Sequence, residues 1–221
     1  MAKLEWDKTG ERFYETGVSQ GVLYLRNSVS GAYDAGYAWN GLSAVTESPS
    51  GAEPTPIWAD NQKYLNLMSA EEFGATVEAY TYPDEFAKCD GSAELVQGVL
   101  IGQQDRAVFG MAYTTIKGND TDGNAYGRKI HLIYGAQAAP SERNYQTIND
   151  SPEPVPLSWE LSTTPVNVAG HKPVSSLVID TTQADPTKLA ELEKILYGDE
   201  HNEPRLPLPD EIKTLLTPAE E

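Results

Sequence analysis

The sequence predicts a mainly β protein: a β-sandwich or partial barrel with one α-helix packed on it. Three observations predict this class. Apolar and polar residues alternate through most segments, the period of a strand with one wet face. Gly and Pro, 18 and 15 of the 221 residues, supply frequent turns. Only one stretch carries a long helical apolar stripe with both ends marked.

Taken in order, residues 1–17 place Trp6, Phe13 and Tyr14 on a charged background and read as an arm that docks on something else. Val22–Arg26 and Tyr37–Val45 are strands by their Val, Tyr, Leu and Trp content. Residues 46–60 hold Pro49, Pro54 and Pro56 before Ile57 and Trp58, an extended loop long enough to be functional or disordered. Ser69 and Glu72 make a capping box closed by Gly74, which predicts a short helical turn. Ala75–Tyr82 and Leu95–Ile101 are strands, with a single helical turn over Glu85–Lys88 after Pro83. Ala107–Lys117 and Lys129–Tyr134 flank Asp122-Gly123, a long hairpin with a mobile tip. Leu157 to Ser162 alternates strictly, and Val174–Thr181 is the last strand. Asp185 caps a helix with Pro186 in its first turn, a stripe of Leu189, Leu192, Ile195 and Leu196, and Gly198 as terminator. The tail, 199–221, contains Pro204, Pro207 and Pro209 and is expected to be largely extended. Residues 1–221 thus read as one domain with an arm, a loop and a proline-rich tail.

Composition limits the function classes. With 16 basic and 33 acidic residues the net charge is −17, which argues against affinity for nucleic acid or an anionic membrane. No apolar run reaches the roughly 20 residues needed to span a bilayer, and residues 1–17, polar and mixed in charge, are not expected to act as a secretory signal. The expectation is a soluble acidic protein of the cytoplasm. The charge is uneven: between Arg26 and Arg106 the only basic residues are Lys63 and Lys88, against acids that include Glu47, Glu78 and Glu94.

No chemistry stands out. His131, His171 and His201 have no metal-ligand spacing, and Cys89, beside Lys88 and Asp90, lacks the cationic setting of a catalytic thiol. P-loop, dinucleotide and nucleophile-elbow motifs are absent. Residues 119–124 fail as a calcium loop because Gly123 falls at position 4 from Asp120 instead of 6. No carboxylate pair is singled out for glycoside hydrolysis. Trp39, Trp58 and Trp159 fit a core or subunit interface better than a sugar platform. The expectation is a non-enzyme without cofactor or metal.

Three segments together resemble the major tail tube protein of long-tailed, non-contractile bacteriophages: YLNLMSAEEFGATVEAYTYPDEF followed by KCDG, IGQQDRAVFGMAYTTIKGND running into TDGNAYGRKIHLIYG, and DPTKLAELEKILYG with RLPLPDEI. The resemblance implies a tail-tube fold whose inner sheet closes a barrel across subunits, in hexameric rings stacked into a tube. It implies self-association, contact with the tape measure protein and other tail proteins, location in the virion tail, and double-stranded DNA passing through the lumen without specific binding. An acidic lumen suits that passage, since a basic wall would hold duplex DNA. Glu78 and Glu94 are the candidates for its lining. Trp6, Phe13, Tyr14, Pro49, Pro54, Pro56 and Trp58 are the candidates for stacking the rings. The alternatives are a tube protein of a contractile injection system, a tail-terminator ring component, or, more remotely, a glycan-binding β-sandwich module.

Overall fold

The computed structural model describes residues 3–148, 150 and 154–217. Along the chain run β1 (Tyr14–Arg26), β2 (Tyr33–Trp39), β3 (Leu42–Glu47), β4 (Ser50–Gly51), β5 (Pro54–Ala59), β6 (Gln62–Met68), β7 (Glu71–Glu72) and β8 (Gly74–Ala79). A 3-10 turn over Asp84–Lys88 precedes β9 (Ala93–Val96), β10 (Val99–Ile101), β11 (Phe109–Asn119), β12 (Gly123–Ala138), β13 (Leu157–Thr163) and β14 (Ser176–Asp180). Two α-helices follow among the described residues, α1 (Pro186–Tyr197) and α2 (Pro209–Leu216). The protein is mainly β, with one large antiparallel sheet.

That sheet runs β2-β1-β11-β12-β13-β8-β3, with β14 beside β12. Two glycine corners curl it into a sandwich-like body. Only Asn40 and Gly41 separate β2 from β3, yet these strands sit at opposite ends of the path; Gly41 has φ 75°. The second corner is Gly135 (φ 62°), within β12. Before it, Lys129–Ile133 pair with β14; after it, Ala136–Ala138 pair with β13. A Cβ on Gly135 would lie 2.1 Å from the Thr164 carbonyl oxygen, so only glycine fits this bend. The curl brings Leu42 of β3 onto Gly21 of β1.

Alternation along the strands divides the apolar residues between two cores. Leu23, Phe109, Met111, Ile133, Val77 and Trp159 point into the sandwich. There Phe86, from the 3-10 turn, meets Trp39 at 4.5 Å, Trp159 at 5.1 Å and Phe109 at 5.5 Å between ring centroids. Their neighbours Val22, Tyr24, Ala112, Ile130, Leu132 and Tyr134 point to the other face, where α1 lays down Leu189, Leu192 and Leu196. Each such leucine contributes about 2 kcal/mol of transfer free energy. Asp185 caps α1 as expected, accepting from the amides of Thr187 and Lys188. The Tyr24 hydroxyl donates to the Leu196 carbonyl at 2.6 Å, tying sheet to helix.

Several sequence expectations change. Residues 69–74 form no helical turn: Ser50 and Gly51 pair with Glu72 and Glu71 instead, so strand pairing satisfies backbone that one isolated turn could not stabilise. Tyr37–Val45 divides at the Gly41 corner, and Leu95–Ile101 folds back as a hairpin at Gly98 (φ 81°). The expected β11–β12 hairpin is present and runs further than its predicted strands, because pairing continues to Asn119 opposite Gly123 and the Asn119 side chain accepts from the amides of Thr121 and Asp122. Part of the tail is helical instead of extended: Pro209 opens α2, and Leu206 and Ile212 are buried in the second core. Gly36 N–H donates to the Pro204 carbonyl and Leu206 N–H to the Tyr33 carbonyl, so this segment covers the outer edge of β2.

Candidate functional site

The main outward feature is a β-ribbon built from residues 48–73. β3 and β8 pair as far as Glu47 opposite Ala75, and Ser48 N–H then donates to the Gly74 carbonyl as the chain leaves the body. Pro49 sits at this exit, exposed. β4 and β7 form the root of the ribbon. Gly51 (φ 82°) and Ala52 (φ 55°) kink it, and a Cβ on Gly51 would lie 2.3 Å from the Ala70 carbonyl oxygen. Beyond the kink β5 pairs with β6 around a two-residue turn, Asp60 (φ 50°) and Asn61 (φ 60°). Positive φ at both central positions is the hairpin turn that matches strand twist. The expected loop 46–60 is therefore the outgoing half of a hairpin whose return half is Gln62–Met68. Pro54 and Pro56 are tolerated because a two-stranded ribbon has free edges.

Cross-strand register places Thr55, Ile57, Leu65 and Leu67 on one face and Pro54, Pro56, Asn66 and Met68 on the other. Trp58 lies opposite Lys63 and is 67% exposed; Met68 is 69% exposed. A two-stranded hairpin is marginal alone in water, and contiguous apolar surface of this kind marks an interaction site. The hairpin of β9 and β10 is a second such limb, with Leu95, Val96, Val99 and Leu100 exposed.

The N-terminal arm is shorter than expected, because β1 takes in Tyr14–Gly17. Asp120, in the turn between β11 and β12, accepts from the amides of Gly10 (3.0 Å) and Arg12 (3.3 Å). Phe13 packs on Tyr126 at 5.2 Å with the Lys117 ammonium 5.4 Å above its ring, and the Tyr14 hydroxyl donates to Asn124 at 2.7 Å. Phe13 and Tyr14 are thus engaged within the chain. Trp6 is 78% exposed.

The wet face of β3, β8 and β13 carries the acids. Glu78 and Glu160 are both exposed there, with Ser158 between them in register, and the three strands hold no Lys or Arg. Glu94 lies elsewhere, on β9, where its carboxylate accepts from Gly98 N–H at 3.3 Å. The two lumen candidates therefore do not share a face. Glu160 is the companion of Glu78 that sequence reading passed over, although the alternation of residues 157–162 already put it on the wet side.

At one end of the sandwich His131 lies between two carboxylates. Its Nε2 is 3.3 Å from Glu15 and its Nδ1 3.4 Å from Glu47. Burial pushes the Glu15 carboxyl up, but hydrogen bonds from Lys129 and Thr115 outweigh it and hold the group below its ordinary value. The His131 ring beside Glu47, helped by the Tyr113 hydroxyl, outweighs burial there with the same result. Cys89 is fully buried and its thiol is pushed up to about 12, which leaves no thiolate for nucleophilic work. Among the described residues no group of three His, Cys, Asp or Glu side chains is placed to share a metal ion. A groove of about 660 Å³ beside Gly21, lined by Gln20, Asn40 and Tyr197 among others, contains no charged side chain. No described helix is long and apolar enough to cross a membrane. No family model matches the chain, and a search of curated proteins finds no match.

Proposed function

We propose that this chain is a self-assembling tube protein, of the kind that forms the tail tube of long, non-contractile-tailed bacteriophages. In this reading copies form hexameric rings, rings stack, and DNA passes along the lumen. The observation that carries it is the β5–β6 ribbon: an apolar limb with both faces in water, projecting from an otherwise well-packed body. Such a limb is stable when another molecule covers it, and a second copy is always at hand. The acidic face of β3, β8 and β13 supports the same reading, because Glu78 and Glu160 without basic neighbours make a wall that does not grip a polyanion. At about 0.15 M salt that repulsion reaches roughly 8 Å, so it acts on DNA close to the wall.

Negative-stain imaging of the purified protein tests the proposal. The expected result is hollow tubes of variable length. Replacing residues 52–70 by Asn-Gly, which closes β4 onto β7 with a two-residue turn, is expected to leave soluble monomers or single rings. A wild-type protein that stays monomeric under all conditions, or a shortened protein that makes normal tubes, overturns it.

A further inference from the structure

Stacking by the ribbon requires a surface that receives it, and the β9–β10 hairpin offers exposed apolar side chains of its own. β8 begins at Gly74, where the ribbon returns, and ends at Ala79, after which the chain enters the 3-10 turn and the β9–β10 hairpin. β13 confirms the two ends. The Thr163 hydroxyl donates to the Phe73 carbonyl beside the ribbon, whereas Leu157 pairs with Ala79. The Trp159 indole, between them, donates to Asp90 at the base of the hairpin. The six residues of β8 span roughly 20 Å. The chain thus leaves β8 for the ribbon at Gly74 and, past Ala79 and the 3-10 turn, reaches a second apolar hairpin.

Their charge pattern argues for each other as partners. Residues 95–101 (LVQGVLI) carry no charge, and residues 54–68 carry only Asp60 and Lys63, in a chain of net charge −17. Copies that repel over most of their surface meet where charge is missing. Leu95 is 63% and Leu100 60% exposed, comparable with Trp58.

We infer that the β9–β10 hairpin is the surface on a second copy of this chain that receives the β5–β6 ribbon. The inference rests on the self-assembly reading above. Contact between two unlike surfaces is heterologous, so it propagates instead of stopping at a dimer.

Two full-length variants test it: Val96→Asp with Leu100→Asp on the hairpin, and Trp58→Asp with Leu65→Asp on the ribbon. All four positions are exposed, and circular dichroism checks that both variants fold. Each variant alone is expected to stop short of polymer. Mixed, they retain one good hairpin and one good ribbon, and sedimentation is expected to show a finite complex twice the mass of either unit. A hairpin variant that polymerises like wild type overturns the inference while leaving self-assembly standing. A wild type that never polymerises removes both. Leu65→Cys with Leu100→Cys gives an independent reading, since Cys89 is buried: oxidation of the polymer is expected to join copies covalently, and a polymer without that link counts against the pairing.

Discussion

The Tyr113 ring lies flat on the His131 imidazole, centroids 4.6 Å apart and planes 7° from parallel. This stack fixes the imidazole between Glu15 of β1 and Glu47 of β3, strands separated by most of the sheet path. The Tyr113 hydroxyl also donates to Glu47 at 2.6 Å. One cluster therefore holds the root of the arm strand and the root of the ribbon to the same pair of central strands.

Because Glu15 and Glu47 are held below their ordinary values in the folded protein, they add stability that is present above the unfolded carboxylate value, about 4.3. That stability is lost as pH falls through their lower folded values. Glu47→Gln cannot titrate. It is expected to be about 1 kcal/mol less stable than wild type at pH 7, with the gap closing towards pH 3. Urea unfolding at several pH values measures it, and a gap independent of pH refutes the linkage.

Gly135→Ala tests the corner in β12. The new methyl meets the Thr164 carbonyl at 2.1 Å from a backbone with φ 62°, so relief requires moving main chain. The expected loss is about 2–4 kcal/mol, read by chemical denaturation. A variant as stable as wild type removes the corner from the account.

Gly51→Ala separates aiming the ribbon from holding the body together. The clash is with the Ala70 carbonyl, within the ribbon's own root. Thermal unfolding of the body is expected to stay near wild type while tube formation falls sharply under the microscope. Normal tubes would mean that the kink does not set the ribbon's direction.

Asp185→Ala removes the side chain that accepts from Thr187 and Lys188. The expected cost is about 1 kcal/mol, with no effect on assembly.

Reversing charge on the wet face, Glu78→Lys with Glu160→Lys, is expected to leave tubes intact and to slow DNA passage, most strongly at low salt. Release rates equal to wild type at low ionic strength would take these residues off the lumen.

What the sequence revealed depended on how local the cause was. α1 was legible from Asp185 to Gly198 because cap, apolar stripe and terminator all lie within fourteen positions of one another. β13 was legible because one face is wet. The ribbon was hidden: Asp60-Asn61 lacks the glycine that usually announces a two-residue turn, and with apolar residues on both faces and Pro54 and Pro56 in its first strand the segment shows no sustained alternation. α2 was hidden because three prolines suggest extended chain, whereas Pro209 occupies the one helical position that tolerates it. Ser69 and Glu72 matched a helix start, but pairing with Ser50 and Gly51, about twenty residues earlier in the chain, decided their fate. The acidic wall was half seen, since Glu78 and Glu160 become neighbours only through the β8–β13 register.

The cover that Pro204 and Leu206 place over β2 has a consequence for biosynthesis. On the ribosome β2 emerges well before the residues that seal it. Until residue 206 has emerged, every nascent copy presents an open strand to its neighbours on the same message. A product cut short before residue 204 would keep that opening for life and is expected to precipitate as amorphous clumps.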